Sequence, residues 1–332
     1  MIDAYGDTPF GDEIEGFLRF KRGMGYKYER EEGLLHLFSR FCGERGWDGP
    51  DLTEEIVETW CSKWPHEQER GGGGHTSRVT VMRQFCLYLS ALGREVHFPM
   101  NVARGMSRHS RFVAHVLTHD EVARMIAASD RICPHPNSTM HLVLPTLLRL
   151  LYSSGTRIGE TLSVRMRDVD LDSGVIRMVN TKNDKVRLVA LSETMTDVLR
   201  EFCAIIHPMP GPEDYLFCNA LGGKYDKQTI YRRFRSVLMD AGIPHGGRGA
   251  GPRVHDLRHS FSCHSLMRRA ESGGDVRALL PVLSEYLGHD SVRETEVYLR
   301  MTSEVYPDVA ALVERACAGL VPEVGGDGQG SH

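Results

Sequence analysis

The stretch Thr139–Tyr152 (TMHLVLPTLLRLLY) constrains the fold more than any other part of the chain. It is strongly apolar, so a helix built from it is expected to lie buried inside a domain. It is also shorter than the ~18–20 residues needed to cross a bilayer. Pro145 lacks an N–H and is expected to interrupt or bend that helix. Gly155 then breaks the run, and Arg157 opens a short helix through Leu162 with Glu160 close behind. An arginine directly after a buried helix and a glycine can be held rigidly near the centre of a domain. The alternative is a surface Arg157–Glu160 ion pair, ordinary at that spacing.

With 332 residues there is room for two domains, one of about 100 residues and one of about 200. The front of the chain reads as helical over 12–23 and 28–45, where Leu34, Leu35, Phe38 and Phe41 form one stripe. Gly46–Pro50 is a turn, and Asp51 with Glu54 predicts a capping box ahead of Ile56, Val57, Trp60 and Trp64. After a flexible GGGG at 71–74, Thr76 is expected to open a helix to Gly93. Trp60, Trp64 and Phe85 then make the core of a small bundle, with Arg78 and Arg83 on its sides, either facing DNA or simply solvated. Residues 94–116 lack periodicity and carry Arg104, Arg108 and Arg111 with no acid after Glu95. That is a basic linker, placed at 98–116, which either contacts a polyanion backbone or is a solvated tether.

The second domain opens at Thr118, a cap boxed by Glu121. Strand character follows over Asp168–Val179 and again over Val186–Leu191, so the two predict a hairpin around Lys182–Lys185. Lys182 and Lys185 at its tip reach a substrate, or are idle surface lysines. Arg187 follows on the second strand. Ser192–Ile206 is helical and Tyr215–Phe217 a short strand or core plug. Asp226 caps a helix with Ile230, Phe234, Val237 and Leu238 inward. Around it stand Lys227, Arg232, Arg233 and Arg235, a second DNA-facing surface or a solvated one. The glycine-rich loop to Arg253 lacks the strand and lysine of a phosphate-binding loop, so ATP is not implied. Next come a helix from Val254 to Arg269, a helix Val276–Leu287, the Gly288 turn with His289, and a helix Val292–Arg300 bearing Tyr298. Pro307–Leu320 closes the folded chain, and 321–332 reads as a disordered tail.

His255 and Arg258 share a helix face. His255 and His259 lie at the spacing of a zinc pair but lack the glutamate and any third ligand at a useful distance, so no metal is expected. The eight cysteines show no short spacing and read as buried thiols of a cytoplasmic protein. The net charge of −4 argues against a nucleic-acid partner only if taken whole. Residues 1–60 hold 14 acids against 7 bases, leaving 33 bases against 30 acids elsewhere. A DNA-binding face needs local positive charge, not a basic total.

Arg157, Lys182, His255, Arg258, His289 and Tyr298 form a set suited to a phosphodiester. Guanidinium groups clamp its developing charge, a tyrosine attacks, a histidine takes a proton, and a lysine or histidine gives one to the leaving oxygen. The residues Gly155–Glu160 (GTRIGE), Thr181–Arg187 (TKNDKVR), His255–Phe261 (HDLRHSF), Leu287–His289 and Tyr298 resemble the tyrosine recombinase (phage-integrase) family, including Xer-like proteins. The similarity covers most of 76–320. It implies an N-terminal all-α, SAM-like core-binding domain over 1–97 and a mixed α/β, mainly helical catalytic domain over 117–320.

By motif position, the resemblance has Arg157 and Arg258 hold the scissile phosphate, Lys182 protonate the leaving 5′ oxygen, and His255 assist deprotonation of Tyr298. His289 donates to the phosphate, Glu160 braces Arg157, and Tyr298 forms a 3′-phosphotyrosyl link. No cofactor is implied, neither ATP nor metal. The implied partners are double-stranded DNA with specific inverted core sites, a self-assembled tetramer on two DNA sites working through a Holliday junction, and a partner recombinase beside it. The implied location is the cytoplasm, at the nucleoid, with no membrane. Rival readings are a hairpin-resolving or DNA-relaxing enzyme of the same chemistry and a non-catalytic DNA-binding regulator. The long segment between Arg258 and His289 departs from compact Xer-like members, and the acidic first 60 residues from a basic arm-binding domain. Length and front domain also resemble transposon-borne members.

Overall fold

The computed structural model describes residues 10–47, 51–68, 73–99, 114–179, 186–246, 251–289 and 291–305. Contacts divide the chain into two compact units, residues 1–112 and 113–332. The first is all-helical and the second is mixed α/β and largely helical.

The first unit holds α1 (Gly11–Gly23), α2 (Glu29–Gly43), α3 (Glu54–Cys61), α4 (Pro65–Gln68) and α5 (Gly73–Ala91). The apolar stripes read from the sequence meet in an aromatic core. Phe38 packs on Trp60 with ring centroids 5.3 Å apart and Phe17 on Phe85 at 5.4 Å. The capping box placed on Asp51 and Glu54 does not form. The cap is Thr53, whose hydroxyl accepts from the Ile56 amide, because Glu54 is already the first helical residue. Likewise α5 starts at Gly73, ahead of the expected Thr76, so part of the GGGG stretch is helical.

Arg78 corrects the reading of a DNA-facing side chain. It is buried, donates from Nη1 and Nη2 to Glu67 at 2.9 and 2.8 Å, and donates to the carbonyls of Trp60 and Ser62. Its guanidinium also lies 3.8 Å from the Trp64 ring centroid. With four of its five N–H donors spent inside the core and its charge matched by Glu67, it is not placed to meet a phosphate.

The second unit is built on α7 (Met140–Ser154), with α6 (His119–Asp130) packed beside it behind the expected Thr118–Glu121 capping box. Val143, Leu144, Leu147, Leu148, Leu150 and Leu151 of α7 are all buried, as so apolar a stretch requires, while Arg149 reaches out to Asp130. Pro145 deprives the helix of one bond, to the carbonyl of His141, but does not end it. A short α8 (Ile158–Thr161) follows.

The sheet has three antiparallel strands in the order β1 (Val169–Asp170), β2 (Val175–Val179), β3 (Val186–Ala190). The stretch read as one strand from Asp168 is therefore two. Asp170 Oδ1 accepts from the amides of Asp172 and Ser173, and Gly174 at φ 63° completes the turn. Val179 pairs with Val186, so the segment 180–185 springs from that rung.

Beyond the sheet come α9 (Glu193–Ile206) and α10 (Lys227–Asp240); Asp226 caps α10 as expected, and Ser192, read as the first helical residue, is instead the cap of α9. Leu216 and Phe217 plug the core. The last layer is α11 (Asp256–Glu271), α12 (Val276–Leu287) and α13 (Arg293–Val305), joined by Cys263, Leu266, Leu283, Leu287, Tyr298 and Met301. Helix α13 runs five residues past the expected end at Arg300. Lys182, Lys185, Arg104, Arg108, Arg111, Pro307–Leu320 and the tail 321–332 lie outside the described residues.

Candidate active site

The site forms where α7, α11 and α12 end against one another. Helix α7 stops at Gly155, which adopts φ 61°. A Cβ there would stand 2.4 Å from the Phe261 ring, so only glycine lets α11 close on this helix end. Helix α12 stops at Gly288, φ 68°, and presents His289 directly after it.

The end of a helix leaves carbonyls without intrahelical donors and carries partial negative charge. Three arginines from distant parts of the chain satisfy three successive carbonyls at the end of α12. Arg187 Nε donates to Tyr286 at 3.1 Å, Arg258 Nη2 to Leu287 at 3.0 Å, and Arg157 Nη2 to Gly288 at 3.3 Å. Arg258 also donates to the Gly155 carbonyl at 2.9 Å and, through its guanidinium, to the Tyr298 hydroxyl. Its side chain is 2% exposed and has no carboxylate partner among the described residues. Burial, with Arg157 nearby, pulls its pKa down to about 10, so it remains charged at neutral pH.

Glu160 sits between two arginines, Oε1 to Arg157 Nη1 at 2.9 Å and Oε2 to Arg187 Nη2 at 2.6 Å. Burial would raise its pKa, but these partners outweigh that and hold it below the ordinary carboxylate range. The Arg157–Glu160 pair is thus real but belongs to the site, not to the surface. Arg187, read from sequence as a DNA contact, is corrected in the same way, since its side chain is nearly buried and committed to Glu160 and Tyr286.

His289 Nδ1 lies 2.7 Å from the Thr295 hydroxyl, which leaves Nε2 on the opposite edge of the ring. Its ring centroid is 6.1 Å from that of Tyr298. Burial, then Arg258, Arg157 and Arg187, push its pKa to about 4. His255, the residue preceding α11, keeps one edge exposed at the surface, yet burial of the rest of the ring, then the charges of Arg258, Arg253 and Arg157, lower its pKa to about 4. Both are therefore neutral at pH 7. His259 fills the gap behind them, 4.7 Å from His255 and 5.6 Å from Tyr298 by ring centroids, with its pKa at about 3 from burial and then from His255.

The structure thus brings Arg157, Glu160, His255, Arg258, His289 and Tyr298 into one cluster. A half-open cavity of about 310 Å³, lined by Tyr231, Phe234, His245, Arg253 and others, opens beside His255. Sequence reasoning missed His259 and Thr295 as members, and missed Arg187 in its actual place. A signal for Arg187 existed: along β3 it shares a face with buried Val189. Of the DNA-facing candidates, Arg83, Lys227, Arg232, Arg233 and Arg253 are exposed. Among the described residues no group of His, Cys, Asp or Glu is arranged to hold a metal ion, and no helix is long and apolar enough to cross a membrane.

An all-helical unit followed by a mixed α/β, largely helical unit is the two-domain architecture of the tyrosine recombinases. A lambda integrase tetramer bound to a Holliday junction superimposes with a TM-score of 0.60 at 15% identity, covering 89% of this chain and 78% of that one. The sequence profile of the Phage integrase family matches residues 115–304. The chain belongs to that family and is a tyrosine recombinase, an enzyme of DNA strand transfer. It is 29% identical over 319 residues to y4rB of Sinorhizobium fredii, named as an integrase/recombinase, covering 93% of this chain and 98% of that protein. It is also 27% identical over 309 residues to the tyrosine recombinase XerD of Listeria monocytogenes, covering 90% and 97%.

Proposed function

We propose that this enzyme cuts and rejoins DNA at specific sites through a covalent 3′-phosphotyrosyl intermediate on Tyr298. The observation that carries this reading is Arg258. A buried guanidinium ordinarily faces a carboxylate, and here the described residues offer only two carbonyls and a tyrosine hydroxyl. The missing anion is then the substrate's scissile phosphate, delivered beside the Tyr298 oxygen.

In the proposed reaction Arg258 and Arg157 turn donors to the non-bridging oxygens, which gather charge in the transition state. His289, its ring fixed by Thr295, donates to the same phosphate. The Tyr298 oxygen attacks phosphorus and neutral His255 assists removal of its proton. The P–O5′ bond breaks, and Lys182 protonates the departing 5′ oxygen. The arriving phosphate adds negative charge among cations that hold both histidine pKa values down, so proton acceptance becomes easier as the substrate seats. A 5′ hydroxyl from another strand reverses the step. The tyrosyl ester conserves the bond, so rejoining needs neither ATP nor a metal.

Around this site we place the helical unit on the same DNA. The exposed Arg83, Lys227, Arg232, Arg233 and Arg253, with Arg104, Arg108, Arg111 and Lys185, stand as backbone contacts. The assembly is proposed to be a tetramer on two inverted core sites, exchanging strands through a Holliday junction in the cytoplasm, with a partner recombinase as one arrangement.

The test uses duplex selected from a random-sequence pool by binding to the wild-type chain, rebuilt with a nick near the cleavage point. Wild type should accumulate a covalent 3′-linked complex in EDTA, and Tyr298→Phe should accumulate none. An equal complex in that variant would overturn the assignment.

A further inference from the structure

We infer that Arg187 is a positioning residue of this site. It holds strand β3, the Arg157 turn and the end of α12 together while Arg157 and Arg258 exchange carbonyl partners for a phosphate. The inference rests on reading the cluster as the place of DNA cleavage.

The three arginines at the end of α12 are not equivalent. Arg258 and Arg157 hold the Leu287 and Gly288 carbonyls through donors that a phosphate would reclaim. Arg157 and Arg187 share the Glu160 carboxylate, at 2.9 and 2.6 Å, but Arg157 is 34% exposed, whereas Arg187 lies deeper and also holds the Tyr286 carbonyl at 3.1 Å. Its side chain is only 10% exposed, pinned between Glu160 and the end of α12, so its burial rather than its charge keeps it from a phosphate.

What Arg187 does supply is registration. A Cβ built on Gly288 would stand 3.0 Å from its Nη1 and 3.1 Å from its Cδ, so the side chain lies along the turn that presents His289. A second tie runs the other way, with the Tyr286 hydroxyl donating to the Ala190 carbonyl at 3.2 Å. Helix α12 and strand β3 are therefore fastened at two points. Because β3 begins one residue earlier, the same fastening holds the Val179–Val186 rung, the last described pair of β2 and β3. Through Glu160, which also takes Arg157 Nη1 at 2.9 Å, Arg187 sets the arginine turn as well. Lysine keeps the charge but not the planar fork that reaches two acceptors.

The experiment compares Arg187→Met and Arg187→Lys with wild type in the full chain, on the nicked duplex selected by the wild-type protein. Both variants should bind within ~2-fold with an unchanged salt slope, because no phosphate contact is lost. Single-turnover cleavage at saturating DNA should fall ~10–100-fold in both, the usual cost of releasing a partner that orients a site ligand. Adding Glu160→Gln to Arg187→Met should cost little more than the worse single change, since the two act as one unit. Titrated by NMR, the His289 ring should move up from about 4 in Arg187→Met and stay there in Arg187→Lys, a readout that general destabilisation would not split.

Wild-type cleavage in both variants, additive losses with Glu160→Gln, or a salt slope reduced by ~1 would each overturn the inference, the last by making Arg187 a phosphate contact. If Arg187→Met fails to fold, Arg187→Lys decides alone. A wild-type chain that forms no covalent complex would instead overturn the cleavage reading, a separable result.

Discussion

Arg78 in the helical unit and Arg258 in the second unit are buried to the same degree, 2% exposed, and their surroundings are opposite. Arg78 meets a bidentate carboxylate, two carbonyls and the face of Trp64. Arg258 meets two carbonyls, a tyrosine hydroxyl and two further arginines within range. Burying a charge is costly unless it is paired and hydrogen-bonded. The first arginine is compensated within the chain and works for the fold. In the proposed reaction the second is compensated when the substrate phosphate arrives, and works for the chemistry.

Replacing each by methionine should separate the two. Arg78→Met leaves Glu67 buried without its partner and should destabilise the helical unit by about 3–5 kcal/mol in denaturant melts. Cleavage by molecules that remain folded should be unchanged. Arg258→Met should do the reverse. Cleavage should fall ~10²–10³-fold, the loss typical of one transition-state donor. Its stability should change far less than that of Arg78→Met. The two carbonyls left without a donor cost about 1–3 kcal/mol each, and relief from burying an unpaired ion offsets most of that. Equal destabilisation by both substitutions would erase the distinction.

A smaller effect concerns pH. His255 and His289 at about 4, and His259 at about 3, lie below their unfolded value of about 6.5. Between those limits the unfolded chain binds protons that the folded chain refuses. Stability is thus full above pH ~6.5 and is lost as pH falls toward 4. Thermal melts of the DNA-free protein should show this decline, shallower in His289→Gln. An identical slope in that variant would mean His289 is not held neutral by its neighbours.

Much of this was legible because the signals were local. The strongly apolar run Thr139–Tyr152 places α7 at the centre with no tertiary information, and Thr118 and Asp226 mark helix starts by their capping chemistry. The motif order collected Arg157, His255, Arg258, His289 and Tyr298 before any contact was known. What escaped depended on partners far along the chain. Arg78 looks like any arginine on an amphipathic helix until Glu67 and Trp60 close over it. Arg187 looks like a hairpin cation until Glu160, 27 residues upstream, and Tyr286, 99 residues downstream, reach it. The turn inside Asp168–Val179 is different: its signal, Asp170 with Asp-Ser-Gly at 172–174, is local, and the β-formers around it outweigh it in a strand reading. Tyr286 and Tyr298 differ by their distant partners. Tyr286 is committed to Ala190 and burial lifts its pKa to about 12, whereas Tyr298 lies against Arg258.

The most direct measurement is the identity of the residue that carries DNA. Wild-type protein trapped on the nicked duplex is digested with protease and nuclease, and the nucleotide-bearing peptide is sequenced by mass spectrometry. The adduct is expected on Tyr298, through the 3′ phosphate. An adduct on Tyr286 or any other side chain, or a 5′ linkage, would contradict the account.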